Sequence, residues 1–342
     1  MSATRPMAFI TEPGKIEFRD VPVPELGPED VLIAVKAAAI CGSDLHIFKG
    51  KHPAVALPVP VGHEVAGEVT QVGAQVTKLE PGDRVTVEPV IVCGECFFCK
   101  RGDYHLCSEI SFQYRQGQGG LTTHFVANQQ WVHRLPEGMP YTQGALLEPL
   151  SVAVHAVSKA NVGLGDTIAV FGAGAIGLLL LQLVRVAGAG EIYVVDIQPH
   201  RLEAAASLGA QALDNASGDV VSEIYARTAG LGVECAFEAV GLASTLRQTL
   251  TVLRKGGQAV LIGLFEKGEI LIPANIFVQK EISLAGSQGY CWDFQTAIKL
   301  VTQGRIDLAK LITHQFSLAE TQVAFDTLMA PQEQAMKIVI KV

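Results

Sequence analysis

The sequence predicts a two-domain α/β protein: a β-rich first domain and a second domain built on a doubly wound parallel sheet. Three observations carry that expectation. A length of 342 residues accommodates two domains of about 150. Short alternating apolar runs, broken by Pro and Gly, fill residues 1–150. From residue 151 onward, buried-strand patterns alternate with helical ones. Hydrophobic residues make up 49% of the chain and charged residues 18%, so a sizeable core is available and wholesale disorder is excluded.

In the first part, runs such as Val31-Leu32-Ile33-Ala34-Val35 lie between turn signals at Glu12-Pro13-Gly14, Leu26-Gly27-Pro28 and Glu80-Pro81-Gly82-Asp83. Short strands with closely spaced turns suggest a barrel or sandwich-like unit. The style changes near Pro149. A helix is expected at 151–160, then strands at 168–171, 192–195, 235–238 and 259–262. Helices are expected between them at 176–187, 199–208 and 245–253. From about Tyr290 the pattern adds a helix at 294–303 and a closing strand at 337–341.

The strand at 168–171 runs directly into Gly172-Ala173-Gly174-Ala175-Ile176-Gly177 and then into a helix. The first Gly permits a tight turn, the second lets backbone approach a pyrophosphate, and the third allows close helix–strand packing. A helix N-terminus there offers free N–H groups to phosphates. Asp196 ends the next strand, roughly 20 residues on, where a carboxylate accepts hydrogen bonds from a ribose diol and repels a 2′-phosphate. The expected cofactor is therefore NAD rather than NADP, tempered by Arg201, which can accommodate a 2′-phosphate. A glycine turn in a nucleotide-free domain is the weaker alternative.

Seven cysteines are present, and four of them, Cys93, Cys96, Cys99 and Cys107, share one short loop. Four thiolates suit a closed tetrahedral Zn²⁺ site of the structural kind. The ferredoxin pattern does not match, because the last gap is long and Ser108 follows Cys107. Unligated, these thiols would be an oxidation liability. A second, scattered set comprises Cys41-Gly42-Ser43-Asp44-Leu45-His46, Gly62-His63-Glu64 and Glu148-Pro149. Each piece alone is as well explained by core or surface packing.

With these motifs in this order, the chain resembles the zinc-dependent medium-chain dehydrogenases of the alcohol dehydrogenase superfamily. Within them it is most similar to the sorbitol (polyol), 2,3-butanediol and threonine dehydrogenase branch. The resemblance runs from Cys41 to Tyr290-Cys291 and beyond, and includes Glu148-Pro149-Leu150-Ser151-Val152 and Asp196 with Arg201-Leu202. It implies a GroES-like catalytic domain over residues 1–150, completed by 290–342, and a Rossmann domain over 151–289. It also implies two zinc ions per subunit. Catalytic zinc would be held by Cys41 and His63, with Glu64 or Glu148 as further ligand, and Asp44 would orient the zinc-bound His. Ser43 and His46 match the family's proton relay. Ile176 and the stretch Ile262-Gly263-Leu264 are expected cofactor contacts beside Gly172, Gly174, Gly177, Asp196 and Arg201. The edge strand near 282–286 implies a homodimer or homotetramer.

The implied reaction is NAD-linked oxidation of a secondary alcohol to a ketone, or its reverse, on a small polyol, sugar alcohol or vicinal diol. A threonine-like amino alcohol and a sugar phosphate are the alternatives, and a non-catalytic zinc- and nucleotide-binding protein is the reading from another class. Two departures concern the substrate. Ile47 stands where sorbitol-type enzymes carry Tyr, and Gly289 where they carry an Arg for polyol hydroxyls. No basic cluster for a phosphate stands out along the chain. Cys235 and Cys291 read as packing residues, and His105, His124, His133, His155, His200 and His314 lack ligand spacing.

A net charge of −8 argues against nucleic acid or anionic membrane as partner. Residues 1–9 show no secretory pattern, and the uncharged stretch 167–184 reads as strand plus helix because glycines split it. The expectation is a soluble, cytoplasmic enzyme acting on a small molecule.

Overall fold

The computed structural model describes residues 4–52, 55–266 and 268–342. Two compact units emerge: Met1–Pro149 with Phe294–Thr302 and Leu308–Val342, and Leu150–Asp293 with Gln303–Asp307. Residues 290–293 and 303–307 thus fall with the second unit. Their ties are polar: Asp293 Oδ2 bonds His155 Nδ1 at 2.8 Å, and the backbone N–H of Asp307 donates to Gln182 Oε1 at 2.7 Å.

The first unit is built on a seven-stranded sheet. Its path runs Val132–Arg134, Arg84–Val87, Glu64–Val72, Asp30–Ala39, Lys337–Lys341 and Ile312–Ser317, with His124–Asn128 also paired to Asp30–Ala39. A smaller sheet joins Lys15–Pro22, Thr4–Glu12 and Val59–Pro60. Alternation along Asp30–Ala39 sends Val31, Ile33 and Val35 into a core shared with Val65, Val85, Phe125 and Ile340. The distant strand Lys337–Lys341 is a full member of this sheet, because Val339 pairs with Ala39 and Lys341 with Ala37.

The second unit is a six-stranded, all-parallel sheet. Its order is Gln211–Asp214, Ile192–Asp196, Ile168–Phe171, Val233–Glu238, Leu253–Leu261 and Ser283–Gly286. This is the doubly wound 3-2-1-4-5-6 arrangement, whose strand order reverses beside Ile168–Phe171. The uncharged stretch resolves into that strand and the helix Ala175–Ala187, and no helix among the described residues is long and apolar enough to cross a membrane.

Several boundaries differ from expectation. The helix expected at 151–160 starts earlier, as Leu147–Ser158, because Pro149 is tolerated in a first turn. The helix expected at 245–253 is Ala243–Thr251, and Leu253 already begins the next strand. Helices Gly42–Phe48, Val220–Arg227 and Asn275–Lys280 add to the expected set, as does the strand Gln211–Asp214.

The glycine fingerprint lies at the carboxyl end of Ile168–Phe171. Gly172 has φ +104°, a conformation that suits Gly. A Cβ on Gly177 would sit 1.7 Å from the Gly172 carbonyl oxygen, so the turn and the helix touch there without room for a methyl group. Gly177→Ala is expected to weaken NADH binding at least about tenfold, roughly 1.4 kcal/mol, with zinc content unchanged. Fluorescence titration and metal analysis check this; full NADH affinity would contradict the close approach.

Candidate active site and zinc centres

Three neighbouring strands of the first unit deliver their ends to one place. In the antiparallel register Ala39 pairs with both Glu64 and Val339. Past Ala39, the chain continues through Ile40 into Cys41, which caps the helix Gly42–Phe48. His63 directly precedes Glu64, and Lys337 opens the third strand. As a result Cys41, His63 and Glu64 each bring a ligand atom within 4.8 Å of the others.

Each donor is held by a partner. Asp44, 1% exposed, accepts the backbone N–H of Cys41 on Oδ2 at 3.0 Å, while its Oδ1 lies 3.4 Å from His63 Nδ1. At that separation neither atom completes a hydrogen bond, but a carboxylate on the Nδ1 side leaves Nε2 as the nitrogen to ligate. Burial opposes charge on His63, but the negative groups of Asp44 and Cys41 outweigh it and hold the pKa well above the ordinary histidine value. Burial likewise works against a charged Asp44, yet His63 and backbone N–H groups keep its pKa below the usual carboxylate range.

Glu64 is fully buried. Its Oε1 accepts from Lys337 Nζ at 2.5 Å, and the same ammonium donates to the Ile40 carbonyl at 3.0 Å. Burial pushes Lys337 down, but the charges of Glu64, Cys41 and Glu148 more than offset it and raise the pKa. Glu64 Oε2 is buried and has no hydrogen-bond partner among the described residues. A sulfur, an imidazole nitrogen and an unsatisfied carboxylate oxygen form a donor set that zinc fits. Glu148 stands outside this trio, buried in the first turn of Leu147–Ser158, with its charge felt at Lys337. Ser43 and His46 lie three residues apart on Gly42–Phe48, so they share a helix face.

The four-cysteine loop closes independently. Cys93, Cys96, Cys99 and Cys107 bring their sulfurs within 4.8 Å of one another. Backbone N–H groups donate to these sulfurs, from Cys93 to Cys107 at 3.3 Å and from Cys96 to Cys93 at 3.4 Å. Hydrogen bonds from the N–H groups of Cys99 and Ser108 pull the Cys96 thiol down to about 6, whereas burial and neighbouring sulfurs push Cys99 up to about 12. Four thiolates this close need a cation between them, and the set has no position left for substrate.

In the second unit, Asp196 is pinned before any cofactor arrives. Its Oδ2 accepts from the Ala173 N–H at 2.7 Å, and its Oδ1 from Ile197 and Gln198 at 2.8 and 2.9 Å. The glycine turn and the acid that closes the next strand are thereby tied together. Arg201 Nη1 lies 3.9 Å from Asp196. Ile176 is in the first turn of Ala175–Ala187. Ile262 and Gly263 both donate backbone N–H to the Glu238 carbonyl, at 2.9 and 3.0 Å, and Leu264 is exposed beyond them.

Sequence reading misses two residues here. Lys337 carries no motif and is found only through strand pairing. Glu238, fully buried, organises the carboxyl end of its strand by accepting from Val240, Gly241 and Thr245, and its only sequence signal is an acid closing an apolar run. Cys235 is buried as expected, whereas Cys291 is half-buried in a loop, its N–H bonded to Asp293.

Two outcomes follow from these charges. Lys337→Met leaves Glu64 buried without a counter-charge, and should cost the zinc-free protein about 3–5 kcal/mol. Added zinc should recover more stability in that variant than in the parent; equal melting curves would contradict the pairing. Because the His63 proton must leave before metal binds, zinc uptake should release protons and weaken as pH falls, which a chelator competition across pH measures.

Comparison with known proteins agrees with this geometry. A model of the alcohol dehydrogenase GroES-like domain matches residues 27–137, and a zinc-binding dehydrogenase model matches residues 175–303. Sorbitol dehydrogenase of Bacillus subtilis (strain 168) is 35% identical over 331 residues, spanning 95% of this chain and 94% of that protein. D-arabitol-phosphate dehydrogenase of Enterococcus avium is 36% identical over 332 residues, spanning 96% and 94%. The solved structure of 2R,3R-butanediol dehydrogenase from Bacillus subtilis superposes with a TM-score of 0.90 at 34% identity, over 99% of each chain. The chain therefore belongs to the zinc-dependent medium-chain dehydrogenases of the alcohol dehydrogenase superfamily, and it is an oxidoreductase.

Proposed function

We propose that this oxidoreductase uses NAD to interconvert a secondary alcohol of a small polyol, sugar alcohol or vicinal diol with its ketone. The observation that carries the proposal is the meeting of Cys41, His63 and Glu64 within 4.8 Å, with Glu64 Oε2 unpartnered. The complete dinucleotide fingerprint of the second unit supports it. Relatives named for sorbitol, D-arabitol phosphate and butanediol support a polyol or diol as substrate.

Zinc held by Cys41, His63 and Glu64 would supply Lewis acidity that lowers the pKa of the substrate hydroxyl, and NAD would accept the hydride. The chain's own residues orient and move protons. Asp44 fixes the His63 ring and the Cys41 backbone together. Ser43 Oγ would accept the proton of the substrate hydroxyl as it gives up its own, and His46 would take up the released proton and deliver it to solvent. His46 lies in the last turn of the helix Gly42–Phe48. Glu148 borders the site as a further carboxylate, and Lys337 balances the charge of both acids. The four-cysteine loop would hold the second, structural zinc.

Asp196, pinned by three N–H groups, presents its charge where a 2′-phosphate would lie and so favours NAD over NADP. The edge strand Ser283–Gly286 is the surface on which we place pairing into a homodimer or homotetramer.

A panel of polyols, diols and amino alcohols, followed by NADH absorbance on the zinc-loaded protein, tests the reading. Turnover is expected with polyols or diols; none with any alcohol, despite bound zinc and NADH, would sink it. Cys41→Ala is expected to abolish turnover with NADH affinity retained. Ser43→Ala should lower kcat by about 100-fold, the usual worth of a positioned proton acceptor.

A further inference from the structure

The first unit contains a cavity of about 720 Å³ that none of Cys41, His63 and Glu64 lines. Sites for small organic ligands run from about 300 to 1,000 Å³, so its size is in their range. Arg5, Val21, Gln113, Gln118, Val126 and Trp131 contribute to its walls. Arg5 and Val21 stand directly opposite each other in the antiparallel pair Thr4–Glu12 and Lys15–Pro22, and so share one face of that sheet.

Arg5 is 2% exposed, yet its partners are neutral. Nη1 donates to the His124 carbonyl, and Nη2 to Gln118 Oε1 at 3.4 Å. That amide oxygen is already taken by the Val126 N–H at 2.8 Å. Arg5 Nε is buried with no hydrogen-bond partner among the described residues. Burial alone draws the pKa down to about 10, with no carboxylate acting against it. A guanidinium taken out of water without a counter-charge is costly. A second orphan lines the same cavity. Gln113 is 8% exposed, and its Oε1 is a buried acceptor with no partner among the described residues. Glu29 and Asp30 also border the space, and Asp30 Oδ2 is engaged by the Gly27 N–H at 3.0 Å. The cavity therefore lacks an anion at Arg5 and a donor at Gln113.

We propose that this cavity is an accessory binding site for a small apolar amino acid. The ligand's carboxylate pairs with the Arg5 guanidinium, and its ammonium donates to Gln113 Oε1, with Glu29 and Asp30 supplying negative charge. Its side chain lies against the apolar surface of Val126 and Trp131. A zwitterion meets both needs and carries no net charge, so the −8 of the chain does not repel it. The site is separate from the zinc trio but is joined to it by one short element. The 3-10 helix Gln113–Gln116 puts Gln113 on the cavity and carries Tyr114, whose ring centroid lies 5.9 Å from that of His63. The proposal stands apart from the choice of substrate.

The test is titration calorimetry on the zinc-loaded full chain with leucine and phenylalanine, each beside two analogues of the same skeleton. One analogue is the amide, which keeps only the ammonium, and the other is the deaminated acid, which keeps only the carboxylate. In the parent protein at least one of the two amino acids should bind at least about tenfold tighter than both of its analogues. Arg5→Met should abolish the preference over the amide, and Gln113→Leu should reduce the preference over the deaminated acid. If Arg5→Met does not fold, Val21→Trp decides. It changes a half-buried residue of the edge strand and fills the space opposite Arg5, so it should abolish binding while zinc content is unchanged. Absence of binding by both amino acids overturns the site, as does a parent that prefers either analogue. Equal affinity in the parent, Arg5→Met and Val21→Trp proteins overturns it as well, because the ligand is then bound elsewhere.

Discussion

The buried ion pair of Lys337 with Glu64 is the constraint around which the first unit is arranged. A carboxylate and an ammonium removed from water are costly unless each is matched, and here the matching extends further. Lys337 neutralises one oxygen of Glu64 and is braced by the Ile40 carbonyl. Asp44 does the same for His63 and Cys41. Glu64 Oε2 is left bare beside the Cys41 thiol and the His63 ring, and that is the part a divalent cation would satisfy.

The nucleotide-binding unit solves a different problem, which is bringing backbone close to a charged ligand. Gly172 and Gly177 remove side chains where turn and helix meet, and Asp196 locks the turn by accepting from Ala173. These devices act over a few residues, and for that reason they are legible in the amino-acid sequence. The same holds for the four-cysteine loop, whose ligand spacing is contained in one segment.

What the sequence hides is long-range. Cys41, His63 and Glu64 are separately ordinary, and only the pairing of Ala39 with Glu64 and Val339 makes neighbours of them. Lys337 is legible as the start of a strand and not as a partner of Glu64. Helix ends are hard to place where local signals compete, as at Pro149, which looks like a breaker and serves as a first-turn residue.

The distant strand Lys337–Lys341 has a consequence for how the molecule is made. Its sheet neighbours, Asp30–Ala39 and Ile312–Ser317, are separated in sequence by the whole second unit. During N-to-C synthesis, Cys41, His63 and Glu64 therefore emerge with their sheet lacking that strand and Glu64 lacking its counter-ion. The second unit, with its own core and local βαβ connections, can fold in the interval. The nascent chain thus carries a completed cofactor domain ahead of a completed catalytic one. Premature metal capture by exposed thiols is the hazard that such an order of assembly has to survive.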